Sequence, residues 1–177
     1  MAPYMISVSL MVVALSTNVI FAKSLTGRKF TSRFDWAKNK LLINGIITTM
    51  AAIALYIAIR FVGVEPNHPL ATFGMILLVA WTLMALVTAL VGWDDRYGAF
   101  ASMILLLLQL GASAGTYPIE LSPKFFKIIQ PFLPMSYSVS GLRQTISMTG
   151  QISDQVRMLF IFLLIFVVVG IIIYRPK

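Results

Sequence analysis

The sequence contains no cysteine and a single histidine, His68, among its 177 residues. Disulfides, thiol nucleophiles and cysteine metal ligands are therefore excluded, and one histidine is too few for a metal site built by the protein alone. Acidic residues are also scarce, since there are six and each lies in a loop or at the boundary of an apolar run. Because proton relays in pumps and transporters use carboxylates inside the membrane, a self-contained proton-coupled antiporter is disfavoured.

Clusters that could support catalysis are equally few. They are the turn Asp94-Asp95-Arg96 between two apolar runs, and Glu65 with His68. The first is a place where charges are expected, and the second has no nucleophile in its loop. General acid/base or triad chemistry needs converging groups that neither cluster supplies. The sequence predicts no enzyme and no cofactor.

Apolar residues are what the sequence has in abundance. Hydrophobic residues make up 59% of the chain and charged residues 11%, with a mean hydropathy of +0.89. A membrane span needs about 20 mostly apolar residues, and five such runs occur, at 4–22, 41–62, 70–93, 98–117 and 155–174. The prediction is an all-α polytopic membrane protein, 1–177, a single membrane domain with five transmembrane helices and two short amphipathic external or re-entrant helices before the last span.

The net charge of +8 lies mostly beside these runs, which favours the lipid bilayer over nucleic acid as a partner. Positively charged short loops mark the cytoplasmic side of a membrane. We therefore expect a bacterial plasma-membrane protein with its N-terminus outside and its C-terminus cytoplasmic. An outer N-terminus this close to the first run also predicts a preceding helix and an external domain that this chain lacks. The basic residues between the first two runs are Lys23, Arg28, Lys29, Arg33, Lys38 and Lys40.

The same basic segment has apolar residues four, three and four apart, which places them on one face of a helix. Two interpretations follow: an interfacial helix on anionic lipid, which is the simpler one, or a docking helix for a cytoplasmic partner such as an ATPase. The candidate coupling or lipid-contact residues are Arg28, Lys29, Phe30, Arg33 and Phe34.

Inside the runs, a few polar and small residues are candidates for helix packing or for lining a pathway. Gly111 and Gly115 form a GxxxG pair that lets helix backbones approach, and Gln109 should face a partner helix or a wet cavity. For each remaining polar residue, hydrogen bonding within or between helices is the simpler interpretation. Those residues are Asn18, Asn44, Thr48, Thr49, Thr82 and Thr88.

The stretch from Gly111 to Thr145 holds four of the eight prolines. Pro118 should close the fourth span, and Ser122 with Pro123 is a signal for the start of a helix. We predict one short amphipathic helix over 123–130, a break at Pro131 and Pro134, and a second helix over 136–148.

This order of features carries a resemblance. A span with small residues and glutamine, then YPIELSP, KFFKIIQPFLPMSYSVSGLRQ and a last span, resembles the C-terminal membrane domain of the YhgE/Pip (phage infection protein) family, in the type-2 ABC exporter superfamily. The N-terminal APYMISVSLMV resembles the start of the second span in that family. The resemblance implies a six-helix, usually dimeric membrane domain with outer re-entrant helices and a large external domain between the first two spans.

The function implied by the resemblance is export or membrane transport of an unknown substrate. No GxxxxGK[ST] motif occurs, so ATP hydrolysis would belong to a separate subunit. The alternative is a non-transporting anchor or scaffold for a surface (phage) receptor or a type VII secretion accessory protein. The resemblance also implies an external gate, for which the candidates are Pro118, Pro123, Phe125, Phe126, Pro131, Pro134, Tyr137 and Arg143.

Overall fold

The computed structural model describes residues 2–21, 32–113, 117–147 and 151–174. Over these ranges the chain forms seven α-helices and two 3-10 turns, without a strand, which confirms the all-helical prediction. The helices are α1 (Ala2–Ile20), α2 (Arg33–Phe61), α3 (Pro69–Trp93), α4 (Asp95–Ala112), α5 (Lys124–Ile129), α6 (Pro134–Ser147) and α7 (Ser153–Ile173). The 3-10 turns are Ile119–Leu121 and Gln130–Phe132.

Four of the described helices, α1, α2, α3 and α7, are long and apolar enough to cross a membrane. The predicted fourth span corresponds to α4, which has 18 residues and is not among them. It begins with the charged residues Asp95 and Arg96 and contains Gln109, and these lower its hydropathy. The structure thus supports several spans, and the count of five stays a prediction.

Helix α2 begins at Arg33, before the predicted second span at 41–62, and so includes part of the basic segment. Ser32 occupies the N-cap position, where its Oγ accepts a hydrogen bond from the N–H of Phe34, and Asp35 adds a carboxylate to the first turn. No proline occurs between Arg33 and Phe61, and Gly45 is the one glycine in this range. The helix therefore continues for 29 residues, or about 44 Å. Residues 33–41 are therefore the first turns of α2.

Helix α3 forms the centre of the bundle. It packs against α1, α2, α4, α6 and α7. In its apolar segment 61% of the residues are buried, against 11% in α7. Because α3 is apolar on all sides, it can be surrounded by other helices, whereas α7 leaves most of its apolar side chains at the surface. That distribution is typical of a membrane bundle with lipid around its outer helices.

The two ends of the bundle are defined by contacts between distant parts of the chain. At one end the rings of Trp36 and Tyr174 stack, with centroids 4.3 Å apart. At the opposite end the backbone N–H of His68 donates to the carbonyl of Thr145 over 3.3 Å. We call these the Trp36 end and the His68 end. The connections place the last turns of α1, α3 and α7 at the Trp36 end.

A single residue, Asp94, connects α3 to α4. Its Oδ1 accepts hydrogen bonds from the N–H groups of Arg96 and Tyr97, both at 3.0 Å, and so caps α4. Gly98, one turn later, lies directly against the backbone of Leu90. The chain therefore reverses sharply here, and α4 runs back beside α3 toward the His68 end.

The proline-rich stretch differs in detail from its prediction. α4 ends at Ala112, before the predicted stop at Pro118. Pro123 rather than Ser122 occupies the N-cap position of α5, and no side-chain hydrogen bond caps that helix. Pro131 lies in a 3-10 turn. Pro134 is the first residue of α6 instead of a break before it, a position where its missing N–H is not needed.

Candidate functional site

An open groove lies between α2, α3 and α7 on the side of the bundle, toward the Trp36 end. Its volume is about 310 Å³, and almost all of its lining is apolar. Gly45 of α2 forms part of the wall, where an added Cβ would lie 2.8 Å from the Trp81 ring of α3. On the other wall Gly170 of α7 packs against Ala89 of α3. Small residues on both walls bring the helices close together.

A chain of polar side chains borders this groove and connects three helices. Asn44 of α2 donates from Nδ2 to Thr88 Oγ1 over 2.7 Å. Thr88 of α3 in turn donates to Asn18 Oδ1 of α1 over 3.1 Å. Asn18 is fully buried, and its Nδ2 donates to the carbonyl of Ala14 at 2.9 Å. Hydrogen bonds of this kind hold helices together where the hydrophobic effect cannot.

Two oxygens beside this polar chain lack partners among the described residues. They are Oδ1 of Asn44 and Oγ1 of Thr48, which lies one turn further along α2. Both side chains are buried, Asn44 at 5% exposure and Thr48 at 2%. A buried acceptor without a donor costs about 1–3 kcal/mol. Asn44, Thr88 and Asn18 are therefore hydrogen-bonded to one another, while Asn44 Oδ1 lacks a donor among the described residues.

Lys40 lies at the Trp36 end of the groove. Its Nζ donates to the carbonyl of Phe21, just past the end of α1, over 2.7 Å. A cation is favourable there because the last carbonyls of a helix carry partial negative charge. Lys40 also lines a small cavity with Asp95 and Tyr174. Its position therefore ties the N-terminal part of α2 to the end of α1.

Tyr174 closes the Trp36 end of the bundle and is 1% exposed. Its ring lies parallel to that of Trp36, with 7° between the planes. Burial raises the pKa of the Tyr174 phenol, and the carboxylates of Asp95 and Asp35 raise it further. The raised pKa favours the neutral phenol over the phenolate at this end of the bundle.

The predicted coupling residues are only partly within the described residues. Arg28, Lys29 and Phe30 lie outside them. Arg33 and Phe34 form the exposed first turn of α2 at the Trp36 end, and Phe34 lines the rim of the groove.

The structure brings few of the predicted gate residues together. Tyr137 donates from its hydroxyl to the carbonyl of Pro131 over 3.0 Å and contacts the Phe162 ring of α7. Only Pro134 is fully buried, while Phe126 and Tyr137 are half-buried. The other members are exposed: Pro118, Pro123, Phe125, Pro131 and Arg143.

The three predicted packing residues have different surroundings. Gly111 contacts the Phe126 ring, where an added Cβ would lie 2.7 Å from Cε1, so this glycine seats α5 on α4. Gly115 lies outside the described residues. Gln109 is completely buried, and both polar atoms of its amide lack partners among the described residues.

A comparison with known proteins decides the family. Over 151 residues, 83% of this chain, the sequence is 32% identical to a protein of Bacillus subtilis (strain 168) named "Uncharacterized protein YhgE". The chain belongs to the YhgE/Pip family. It spans 19% of the length of that relative. No protein-family model matches the chain, and no solved structure matches it.

Within this YhgE/Pip membrane region, sequence reasoning named some site residues and missed others. Asn18, Asn44 and Thr88 were candidates, and the fold joins them. Lys40 and Tyr174 were missed as structural residues, because a lysine in a basic segment predicts exposure and Tyr174 is the final residue of the last apolar run. The aromatic pairing of Tyr174 with Trp36 has no local signal in the sequence.

Proposed function

We propose that this chain is the membrane-spanning part of an exporter of the type-2 ABC kind. The observation that carries the proposal is the burial of α6, a helix of 14 residues that lies among the long helices. It packs against α1, α3, α4 and α7, and more than half of its residues are buried. Helix ends at membrane depth are tolerated only where protein or a watery cavity satisfies the backbone. A simple connector between two spans would not need such placement.

The polar side of α6 supports the same proposal. Ser140 Oγ accepts a hydrogen bond from Gln155 Nε2 of α7 at 3.4 Å. Buried side-chain oxygens of Ser136, Gln144 and Gln155 have no partner among the described residues. Polar atoms in a membrane bundle are costly and commonly line a pathway or a water-filled cavity. We infer that this side of α6 receives water or substrate during transport.

In this proposal the Trp36 end faces the cytoplasm, and α5 with α6 forms the external gate. Five helices cross the membrane, with α4 returning beside α3. Two copies of the chain would alternate access at their interface, and a separate ATPase would drive them. The exposed first turn of α2, with Arg33 and Phe34, is the coupling element.

The test is copurification of an ATPase with the protein from its own membranes after mild crosslinking. The variant Arg33→Glu with Phe34→Ala should lose the ATPase, because it alters charge and apolar contact at the coupling element. Phe61→Ala is the matched control, since Phe61 is an exposed aromatic residue at the opposite end of the same helix. The control should retain the ATPase.

A membrane anchor for an external domain is the second candidate. It is favoured by the closed apolar core along α3, where Ile76, Val79, Leu83 and Val87 are completely buried. Absence of any ATPase from the wild-type sample, combined with normal surface display of the protein, would favour the anchor over the exporter.

A further inference from the structure

Asn44 borders the groove between α2, α3 and α7, and its buried Oδ1 is a hydrogen-bond acceptor that the described residues leave unused. The Asn44 side chain is 5% exposed, and its Nδ2 already donates a hydrogen bond to Thr88 Oγ1. Its Oδ1 accepts no hydrogen bond from the described residues. A ligand that brings an O–H or N–H donor to this oxygen would satisfy a buried acceptor, which is costly to leave without a donor.

The rest of the groove suits a hydrocarbon chain. Its walls include Met84 and Ala85 of α3 and Leu163, Val167 and Ile171 of α7. The volume of about 310 Å³ is at the lower end of the range for small-molecule sites. Burial of apolar surface here excludes a strongly polar occupant. An acyl or alkyl chain could enter from the side of the bundle, where the groove is open.

The charges near the groove argue against an anionic headgroup. Lys40 is the nearest buried cation, and its Nζ already donates to the carbonyl of Phe21. Asp95 lines the same small cavity, so an incoming anion would meet a carboxylate there. Lys38 is exposed at the rim, where water or lipid headgroups can solvate it. A neutral headgroup would not be repelled by the Asp95 carboxylate, and it would not compete for the hydrogen bond from Lys40 to the carbonyl of Phe21.

We propose that the groove binds a neutral amphiphile, with its hydrocarbon chain between α2, α3 and α7 and a hydroxyl or amide N–H donating to Asn44 Oδ1. Long-chain alcohols, acylglycerols and acyl amides are the chemical classes that fit. The site does not depend on the proposed function, because an exporter and an anchor would both carry it.

Three photoactivatable probes with the same C16 chain test the proposal in nanodiscs: an alcohol, its methyl ether and the corresponding carboxylic acid. Labelled peptides are mapped by mass spectrometry over 34–45, 81–89 and 163–171. The alcohol should label these peptides about fivefold more than the ether, which is the effect of one net hydrogen bond. It should also exceed the acid at neutral pH.

Two variants and a control define the site. Asn44→Ala should reduce alcohol labelling to the level of the ether, while Ala85→Leu should reduce labelling by both probes because it fills the groove. Thr49→Val is the matched control, since Thr49 lies on α2 but lines a neighbouring apolar surface. It should change nothing. Equal labelling by alcohol and ether in the wild type, or stronger labelling by the acid, would overturn the proposal. It would also be overturned if Asn44→Ala still labelled more strongly with the alcohol than with the ether.

Discussion

Gly98 has the closest approach to a neighbouring backbone of any described glycine. A Cβ at this position would meet the carbonyl of Leu90 and lie 2.7 Å from the Cα of Val91. Neither atom can move without displacing α3, which is the core of the bundle. The turn at Asp94 therefore requires glycine one helical turn later, and this requirement is purely steric.

We expect Gly98→Ala to destabilise the protein by about 3 kcal/mol, the upper part of the range for overpacking, because backbone rather than side chain obstructs the new methyl group. Thermal unfolding in detergent, followed by tryptophan fluorescence, measures the loss. Gly74→Ala is the control: Gly74 lies in α3, and an added Cβ meets nothing within 4 Å. If both variants unfold at the wild-type temperature, the close contact at Gly98 is not present.

Tyr174 gives a prediction about pH. Burial and the nearby carboxylates of Asp95 and Asp35 raise its pKa, so its phenol should ionise at a higher pH than tyrosine does in a model peptide. Because the raised pKa belongs to the folded state, the stability due to neutral Tyr174 is present at neutral pH and is lost as the pH rises through that value. Absorbance at 295 nm, compared between wild type and Tyr174→Phe, isolates the Tyr174 step. Coincidence of that step with the ordinary tyrosine titration would contradict the burial.

At the scale of elements, apolar runs predicted the long helices well. The run at 70–93 corresponds to α3, which spans Pro69–Trp93, because an apolar segment bounded by proline and a charged turn has clear limits. The end of α4 was less predictable. Apolar and small residues continue past Ala112, so composition did not indicate where the helix stops. The start of α2 was missed because its basic residues concealed continuity with the span.

Helix α6 is held in the bundle by Gly141. An added Cβ would meet Met75 Cε of α3 and lie 3.3 Å from Gln155 Cβ of α7. We expect Gly141→Leu to push α6 outward by breaking this contact, since a flexible methionine can accommodate one methyl group but not a full leucine side chain.

The sequence lacks cysteine, so single cysteines can report this displacement without background. Ser138→Cys, at a position 1% exposed in the parent, should react slowly there with a membrane-impermeant maleimide. With Gly141→Leu it should react at least about tenfold faster, as expected if about 1.4 kcal/mol of protection is lost. Ser147→Cys, exposed in the parent, should react rapidly in both backgrounds. Unchanged protection of Ser138→Cys would mean that Gly141 does not position α6.

For the whole molecule, the family and the general class were accessible from the sequence, but the contacts that build the candidate site were not. Asn18 and Thr88 are polar residues in separate apolar runs, and each alone is compatible with many partners. Their hydrogen bond at 3.1 Å depends on how α1 packs against α3. Trp36 and Tyr174 likewise meet only because α2 begins at the end of the bundle where α7 finishes. Such contacts arise from packing of the complete bundle and have no local signal.

The orientation of the bundle is the final prediction, and α2 provides the two positions that test it. Phe34 and Phe61 are exposed at its opposite ends, at 75% and 87%. The basic segment before and within the start of α2 favours the cytoplasm for the Trp36 end. In intact cells Phe61→Cys should therefore react with an impermeant thiol reagent, whereas Phe34→Cys should react only after permeabilisation. The opposite pattern would place α5 and α6 on the cytoplasmic side, where they could not serve as an external gate, and would remove the mechanism proposed for export.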